Sequence, residues 1–421
     1  MMNYARIFLN PKEDREISQG FPWVYDNEIS SVKYEDPKAG IKTVSLEESN
    51  IPDGSVVEVY TKAGGFLGTG IFNRKSKIII RLLSHNLHAD EIMSDVQKYW
   101  DKIIGNSVNV RRLDFTDDES IRLVFGEADF APGLIVDRYV EGEGDDRKTY
   151  LVVQFLAMAV EVFKKEILNA LEKWCNPEGI YERSDDLVRE KEGLPLITVW
   201  HGKQGKNIIR IKENGIFLDV DIVGGQKTGY FLDQKRNRYE LRKYVHSKRV
   251  LDTFTHTGAF GLNAVKGGAK EVISVDISQE AVDMVNNNIN INHAENVMKA
   301  VCADVFDLLK GYENSGEKFD VIVLDPPAFT KSAKMIQKAY GGYKEINLRA
   351  MRLLNEGGIL VTCSCSHYFD SDTFYDMIMH AARDSHKSVQ VLQKRGASSD
   401  HPLLMGYPKS EYLKCAICRV L

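Results

Sequence analysis

The sequence predicts an α/β chain in three parts: a doubly wound sheet over residues 206–421, a β-barrel-like module over 1–85, and a mixed α+β stretch over 86–205. Three observations carry this. Beyond Lys206, apolar runs (VLDTF, EVISVDI, FDVIVLD, GILVTCS) alternate with helical spacing, as in a parallel sheet with helical crossovers. Between residues 56 and 83, short β-rich runs (VVEVY, FLGTGIF, KIIIRLL) are divided by Gly64-Gly65 and by 73–76, turn signals at barrel-like spacing. The 421 residues, at about 150 per domain, give two or three domains.

In the middle stretch, 91–104 and 160–174 show helical apolar spacing, while 133–139 and 150–156 suit strands. Apolar residues at 43% and charged residues at 27% are ordinary for folded proteins and exclude disorder. The net charge of −5 means that any nucleic-acid site must be a local basic patch. Six cysteines, none before Cys175, make a poor disulfide framework and point to a reducing compartment. The start of the chain has no signal-peptide pattern. The most apolar stretch, 150–163, is broken by Gln154 and Glu161 and is too short to span a bilayer. A cytoplasmic protein with no membrane partner is expected.

Residues 250–254 read as a buried strand, Thr255-His256-Thr257-Gly258 as a tight turn, and 259–265 as a helix closed by Gly267-Gly268. Such a loop lies where open α/β sheets bind ligands, and glycine lets the backbone approach a cofactor. The next strand ends in Asp276, eighteen residues after Gly258, where a carboxylate can accept both hydroxyls of a ribose. The loop offers only Gly258-Ala259-Phe260-Gly261 and lacks the G-x-G-x-x-G that seats a pyrophosphate. NAD is disfavoured; S-adenosylmethionine (SAM), with a ribose and no phosphate, fits better. Asp304, after MKAVCAD, is placed to meet the adenine amino group. Alone, Asp276 and Asp304 would each read as helix caps; with the loop they favour SAM.

The fourth run ends in Asp325-Pro326-Pro327-Ala328-Phe329, and two prolines turn the chain out of the sheet there. The fifth ends in Cys363-Ser364-Cys365-Ser366, so a carboxylate and thiols converge on one edge. Cys363-x-Cys365 and Cys415-Ala416-Ile417-Cys418 could offer zinc four thiolates. However, YLKCAICRVL reads as a strand, in which residues three apart point to opposite faces, and no metal is expected. From 233 to 249, seven basic residues (Lys235, Arg236, Arg238, Arg242, Lys243, Lys248, Arg249) stand against Asp233 and Glu240. A solvated helix face and phosphate contacts flanking a nucleic-acid path explain this run equally well. Arg74, Lys75, Lys77 and Arg81 form a similar patch.

VLDTFTHTGAFGL, VISVDIS, ADVF, VIVLDPPAF and TCSCS resemble, in order and spacing, the signature segments of class I SAM-dependent methyltransferases, whose sheet is Rossmann-like. QKTGYFLDQKRNR (226–238), GYKEINLRAMRLLNEGGILVTCSCS and the tail HP...YPKSEYLKCAICRV resemble, more closely, the ribosomal large-subunit methyltransferase I family, which methylates carbon 5 of a cytosine in bacterial 23S rRNA. GSVVEVYTKAGGFLGTGIFNRKSKIIIRLL is similar to the PUA domain of such enzymes. The resemblance covers essentially the whole chain. It implies SAM as cofactor, near Asp233, Thr255, Gly258, Asp276 and Asp304. It also implies catalysis by Cys365 and Asp325, and 23S rRNA as partner. Of the basic runs, Arg74, Lys75, Arg81, Lys235, Arg236 and Arg238 are the candidates to face the RNA, and a homodimer is a further expected assembly.

The chemistry agrees. Carbon 5 of a cytosine is a weak nucleophile, and a thiolate adding to carbon 6 converts the ring into an enamine that can take a methyl group. Cys365 occupies the family's nucleophile position in S-C-S, while Cys363, Cys175 and Cys302 are expected to pack as small hydrophobes. Asp325 would assist at ring nitrogen 3 if its site raises its pKa. Several RNA cytosine methyltransferases carry a second cysteine after the prolines; Ala328 and Phe329 stand there, implying a one-cysteine mechanism. The target base must be extruded or unstructured. Two alternatives are a methyltransferase of exocyclic amino groups, which usually has an aromatic where Ala328 stands, and a non-catalytic RNA-binding assembly factor that retains SAM.

Overall fold

In Ala5–Leu9 (β1) of the computed structural model, Ile7 and Leu9 are buried while Arg6 is exposed, the period-two alternation of a strand with one solvated face. The structure describes residues 4–36, 38, 40–330 and 333–421. It divides into two units, Met1–Asn207 with Ser399–Ser410, and Ile208–Ser398 with Glu411–Leu421.

In the first unit, β1 joins Trp23–Tyr25 (β2), Ile29–Asp36 (β3), Gly40–Val44 (β4), Val56–Tyr60 (β5), Phe66–Phe72 (β6) and Ile78–Ser84 (β7) in the order β2-β7-β6-β5-β1-β3-β4. The β-rich runs read from the sequence are β5 to β7. A second layer contains Ile121–Phe125 (β8), Leu134–Glu141 (β9), Lys148–Phe155 (β10), Gly179–Ser184 (β11) and Ile197–His201 (β12), with β12-β11-β10-β9 in order and β8 paired to β9. The helix expected over 91–104 is interrupted. Ala89–Met93 ends, and Val96–Arg111 begins where the Asp95 carboxylate accepts the Lys98 N–H at 2.9 Å, an N-cap satisfying one of the orphan donors of a helix start. Trp100, Ile104, Leu123, Leu151 and Leu171 share one core with Ile71 and Leu83 of β6 and β7.

The second unit opens with the hairpin Ile208–Glu213 (β13) and Ile216–Asp221 (β14). Seven strands follow: Arg249–Thr253 (β15), Glu271–Asp276 (β16), Met298–Cys302 (β17), Phe319–Leu324 (β18), Leu354–Ser364 (β19), Val389–Arg395 (β20) and Lys414–Val420 (β21), in the order β17-β16-β15-β18-β19-β21-β20. β15 to β19 run parallel, and β21 is antiparallel to both neighbours. Val250, Leu251 and 321–324 are fully buried, as befits strands covered on both faces. Strand order reverses at β15 and β18, and in open α/β sheets a ligand crevice forms at the carboxyl ends beside such a reversal. Cys302 is exposed, not packed as expected, because β17 is the edge strand. No described helix is long and apolar enough to cross a membrane.

Candidate functional site

At the carboxyl ends of β15, β16, β18 and β19 lies a cleft of about 180 Å³, with Asp233, Gln234, Thr255, His256, Thr257, Asp276, Ile277, Asp325 and Cys365 among its walls. Its floor is organised by Asp252, a buried acid inside β15. One oxygen, Oδ2, accepts from Gly261 N (2.9 Å), Ser274 Oγ (3.0 Å) and the Thr255 hydroxyl. Burial pushes this carboxyl up to about 6. Gly258 begins the helix Ala259–Lys266 at φ +82°, where a Cβ would stand 2.9 Å from Val285 Cγ1. Only glycine takes that backbone without strain. At Gly261 a Cβ would meet Ser274 Oγ at 2.4 Å, which keeps helix and strand in close approach.

Asp276 closes β16 and receives the backbone N–H of His256 (2.9 Å) and of Ser278 (3.1 Å), so the loop is pinned to the acid beside it. Burial pushes the His256 imidazole down to about 4, keeping it neutral. Ile277 is 68% exposed, an apolar side chain standing at the rim. Thr257 Oγ1 is buried with no hydrogen-bond partner among the described residues, a polar group left for a ligand. An acid at the strand end, an apolar rim and an unsatisfied hydroxyl fit SAM. Asp304 lies outside the cleft walls. It caps Val305–Ser315, its Oδ1 accepting from Phe306 N (2.8 Å) and Asp307 N (3.2 Å).

The opposite wall carries the candidate chemistry. Asp325 follows β18 and accepts from Gln234 Nε2 at 2.8 Å. Burial, then the charge of Asp233, pushes its carboxyl up to about 7 against Arg238 and Gln234. Cys365 follows β19; burial raises its thiol, aided by Asp325 and Asp233 and opposed by Lys227. Asp233, expected near the cofactor, is 3% exposed and receives Tyr412 Oη at 2.5 Å, with Lys227 Nζ at 3.7 Å. Cys363 is fully buried opposite Cys415 across β19 and β21. Cys418, three residues on, packs into the other core face.

Three of the six cations expected toward RNA lie inside the protein, and acids distant in sequence claim two of them. Arg238 is 2% exposed, forks onto Glu213 at 2.6 and 2.8 Å, donates to Phe231 O at 2.9 Å and stacks over Tyr230. Arg81 bridges Glu127 (3.1 Å) and Glu192 (3.0 Å) beneath Trp23, and Lys235 is buried. Arg74, Lys75 and Arg236 are exposed. Asp252, Gln234, His256 and Ile277 were not singled out from sequence. The available signal was Asp252 itself, an acid within the apolar run VLDTF.

Residues 7–85 match the family model of a PUA-like domain, and residues 186–401, more than half the chain, that of an S-adenosylmethionine-dependent methyltransferase. The chain is 38% identical over 432 residues to ribosomal RNA large subunit methyltransferase I of Photobacterium profundum, covering 98% of this chain and 99% of that one. It is 38% identical over 421 residues to the protein of the same name from Aliivibrio fischeri, with 99% of each covered. A solved putative SAM-dependent methyltransferase from Streptococcus mutans superimposes with a TM-score of 0.78 at 22% identity, covering 98% of this chain and 99% of that one, a likeness of fold. SAM is therefore the cofactor of this chain. With both domains matched and relatives aligned from end to end, the chain belongs to the ribosomal RNA large subunit methyltransferase I family.

Proposed function

We propose that the protein methylates carbon 5 of a cytosine in 23S ribosomal RNA through a transient bond between Cys365 Sγ and carbon 6 of the base. The observation that carries this is a thiol and a carboxyl that titrates near neutrality, at the ends of neighbouring parallel strands in one cleft. That relatives aligned from end to end are ribosomal RNA large subunit methyltransferases supports the RNA. Bound SAM supplies an electrophilic methyl group. Asp276 takes the ribose hydroxyls, and Asp304, with Oδ1 occupied by its cap, offers Oδ2 to the adenine amino group. Thr255 and Gly258 shape the loop against the cofactor, and Asp233 presents a carboxylate to its methionine end.

Asp325, its carboxyl pushed up to about 7, gives its proton to ring nitrogen 3 as Cys365 Sγ, its thiol proton lost to solvent, adds to carbon 6. The electron pair displaced from the ring double bond then sits at carbon 5, which takes the methyl group. When water takes the carbon 5 proton, the Sγ–carbon 6 bond breaks with the thiolate as leaving group, the ring double bond re-forms, and nitrogen 3 returns its proton to Asp325. Arg74, Lys75 and Arg236 supply phosphate contacts that fix the RNA without reading its bases.

The test is labelled SAM with deproteinised, unmodified 23S rRNA, read by nucleoside mass spectrometry. 5-Methylcytidine is expected, and a methylated exocyclic amine would sink the reading. Cys365→Ala should abolish turnover with SAM binding intact, Cys363→Ala should keep substantial activity, and 5-fluorocytosine RNA should trap a covalent complex on Cys365.

A further inference from the structure

Lys414 opens β21 and is 4% exposed. An ammonium that deep is tolerated only with partners, and its Nζ donates to Ser366 O and Tyr412 O, both at 2.7 Å. These two carbonyls belong to the segments that frame the chemical wall. Ser366 immediately follows Cys365, and its own hydroxyl donates to Thr330 O at 3.0 Å. Tyr412 carries the hydroxyl that donates to Asp233. One buried cation therefore ties the backbone leaving Cys365 to the segment that holds the Asp233 carboxylate.

For folding alone this is an expensive choice, since a buried charge costs more than an apolar side chain of the same length. Burial pulls the ammonium down to about 8, and the negative charges of Cys365, Asp370 and Glu411 oppose that fall. The thiol is faced by Lys227 and Asp233 from the segment before the helix Lys235–Leu241, by Asp325 from the end of β18, and by Tyr343 from the helix Ile336–Leu353. The Lys227 side chain is 44% exposed, so salt screens it. Lys414 is shut away from that screening.

We propose that Lys414 is a positioning residue for the Cys365 thiol, acting by fixing the Ser366 and Tyr412 carbonyls. This rests on the reading of Cys365 as the nucleophile. Lys414→Met keeps the length and removes both donors and charge; Lys414→Gln removes the charge and keeps an amide donor. The measurement is the pH dependence of Cys365 alkylation by iodoacetamide, assigned by peptide mass spectrometry, beside kcat on 23S rRNA and SAM affinity.

A displaced thiol should lower kcat on the order of tenfold to hundredfold, with SAM affinity unchanged. Because burial is what raises the thiol, its release should lower the alkylation midpoint of Lys414→Met toward the ordinary thiol value. Lys414→Gln, which keeps an amide donor, should recover part of kcat. A Lys414→Met protein that binds SAM normally with wild-type midpoint and kcat overturns the proposal. If that variant does not fold, a wild-type midpoint and kcat in Lys414→Gln overturn it equally. Alkylation does not depend on methyl transfer, so a lowered midpoint together with an active Cys365→Ala would condemn the nucleophile and leave the role of Lys414 standing.

Discussion

Replacing Asp325 with asparagine should make the protein more stable while disabling it. The amide matches the carboxyl in shape and can still accept from Gln234, whose Nε2 lies 2.8 Å from Asp325 Oδ1. What it removes is a charge confined beside Asp233 and Asp252. The carboxyl titrates at about 7 in the folded chain against an ordinary value of 3.8. A raised carboxyl pKa means that the folded state holds the proton more tightly than the unfolded state does. Stability is therefore full at low pH and falls as pH rises from about 4 to 7. Fully ionised, the group costs the fold about 4 kcal/mol, at 1.36 kcal/mol per tenfold change in proton affinity.

Asp325→Asn escapes that cost, and other titrating groups largely cancel between the two proteins. The stability gap should thus widen by about 3 kcal/mol between pH 5 and pH 8. Urea titrations at the two pH values, followed by a probe in the catalytic unit and compared at equal m-values, measure it. The same variant should lose about 100-fold or more of kcat, the usual loss for a missing general acid. A gap that is flat with pH, or a variant less stable than wild type at pH 8, would refute the reasoning.

Asp276→Ala removes the ribose acceptor, and since a charge-assisted hydrogen bond is worth about 1.5 to 3 kcal/mol, calorimetry should show SAM affinity weakened at least about tenfold. Arg238→Met leaves Glu213 charged and buried, so thermal melts should record a loss of about 3 to 5 kcal/mol with the salt dependence of RNA binding unchanged. Arg236→Ala should instead lower the salt slope of RNA binding by roughly 0.7 to 0.9.

What could be read from the chain beforehand was what neighbours in sequence decide. The β15 strand, the turn at Gly258, the helix after it and the exit of the chain at Pro326-Pro327 all follow from local pattern. The seating of Asp276 beside the loop follows from a spacing between consecutive elements. The fate of the basic residues did not, because an arginine reads the same whether water or an acid receives it. Arg238 is claimed by Glu213, 25 residues earlier, and Arg81 by Glu192, 111 residues later. Lys414 was hidden for the same reason, its two acceptors being backbone carbonyls that carry no side-chain signature. A module boundary at residue 85 is what the strand pattern suggests, yet Ile71 and Leu83 share a core with Trp100. Deleting residues 1–85 would open that core, so point variants report on RNA affinity more cleanly than truncation.

The first unit is not finished by its own stretch of chain. Residues Ser399–Ser410 belong to it, although residues on both sides of them belong to the other unit. The carbonyl of Asp400 receives the buried Arg111 guanidinium at 2.8 Å, beside that arginine's pair with Asp129, and the Asp400 carboxylate receives Arg122 N at 2.9 Å. During synthesis these acceptors emerge about 190 residues after Asn207, a delay of roughly 10 to 40 s at ribosomal speeds. Until then Arg111 lacks one of its partners, and the nascent first unit waits on the other's translation. A stop codon late in the gene would consequently damage the N-terminal half as well as the catalytic one.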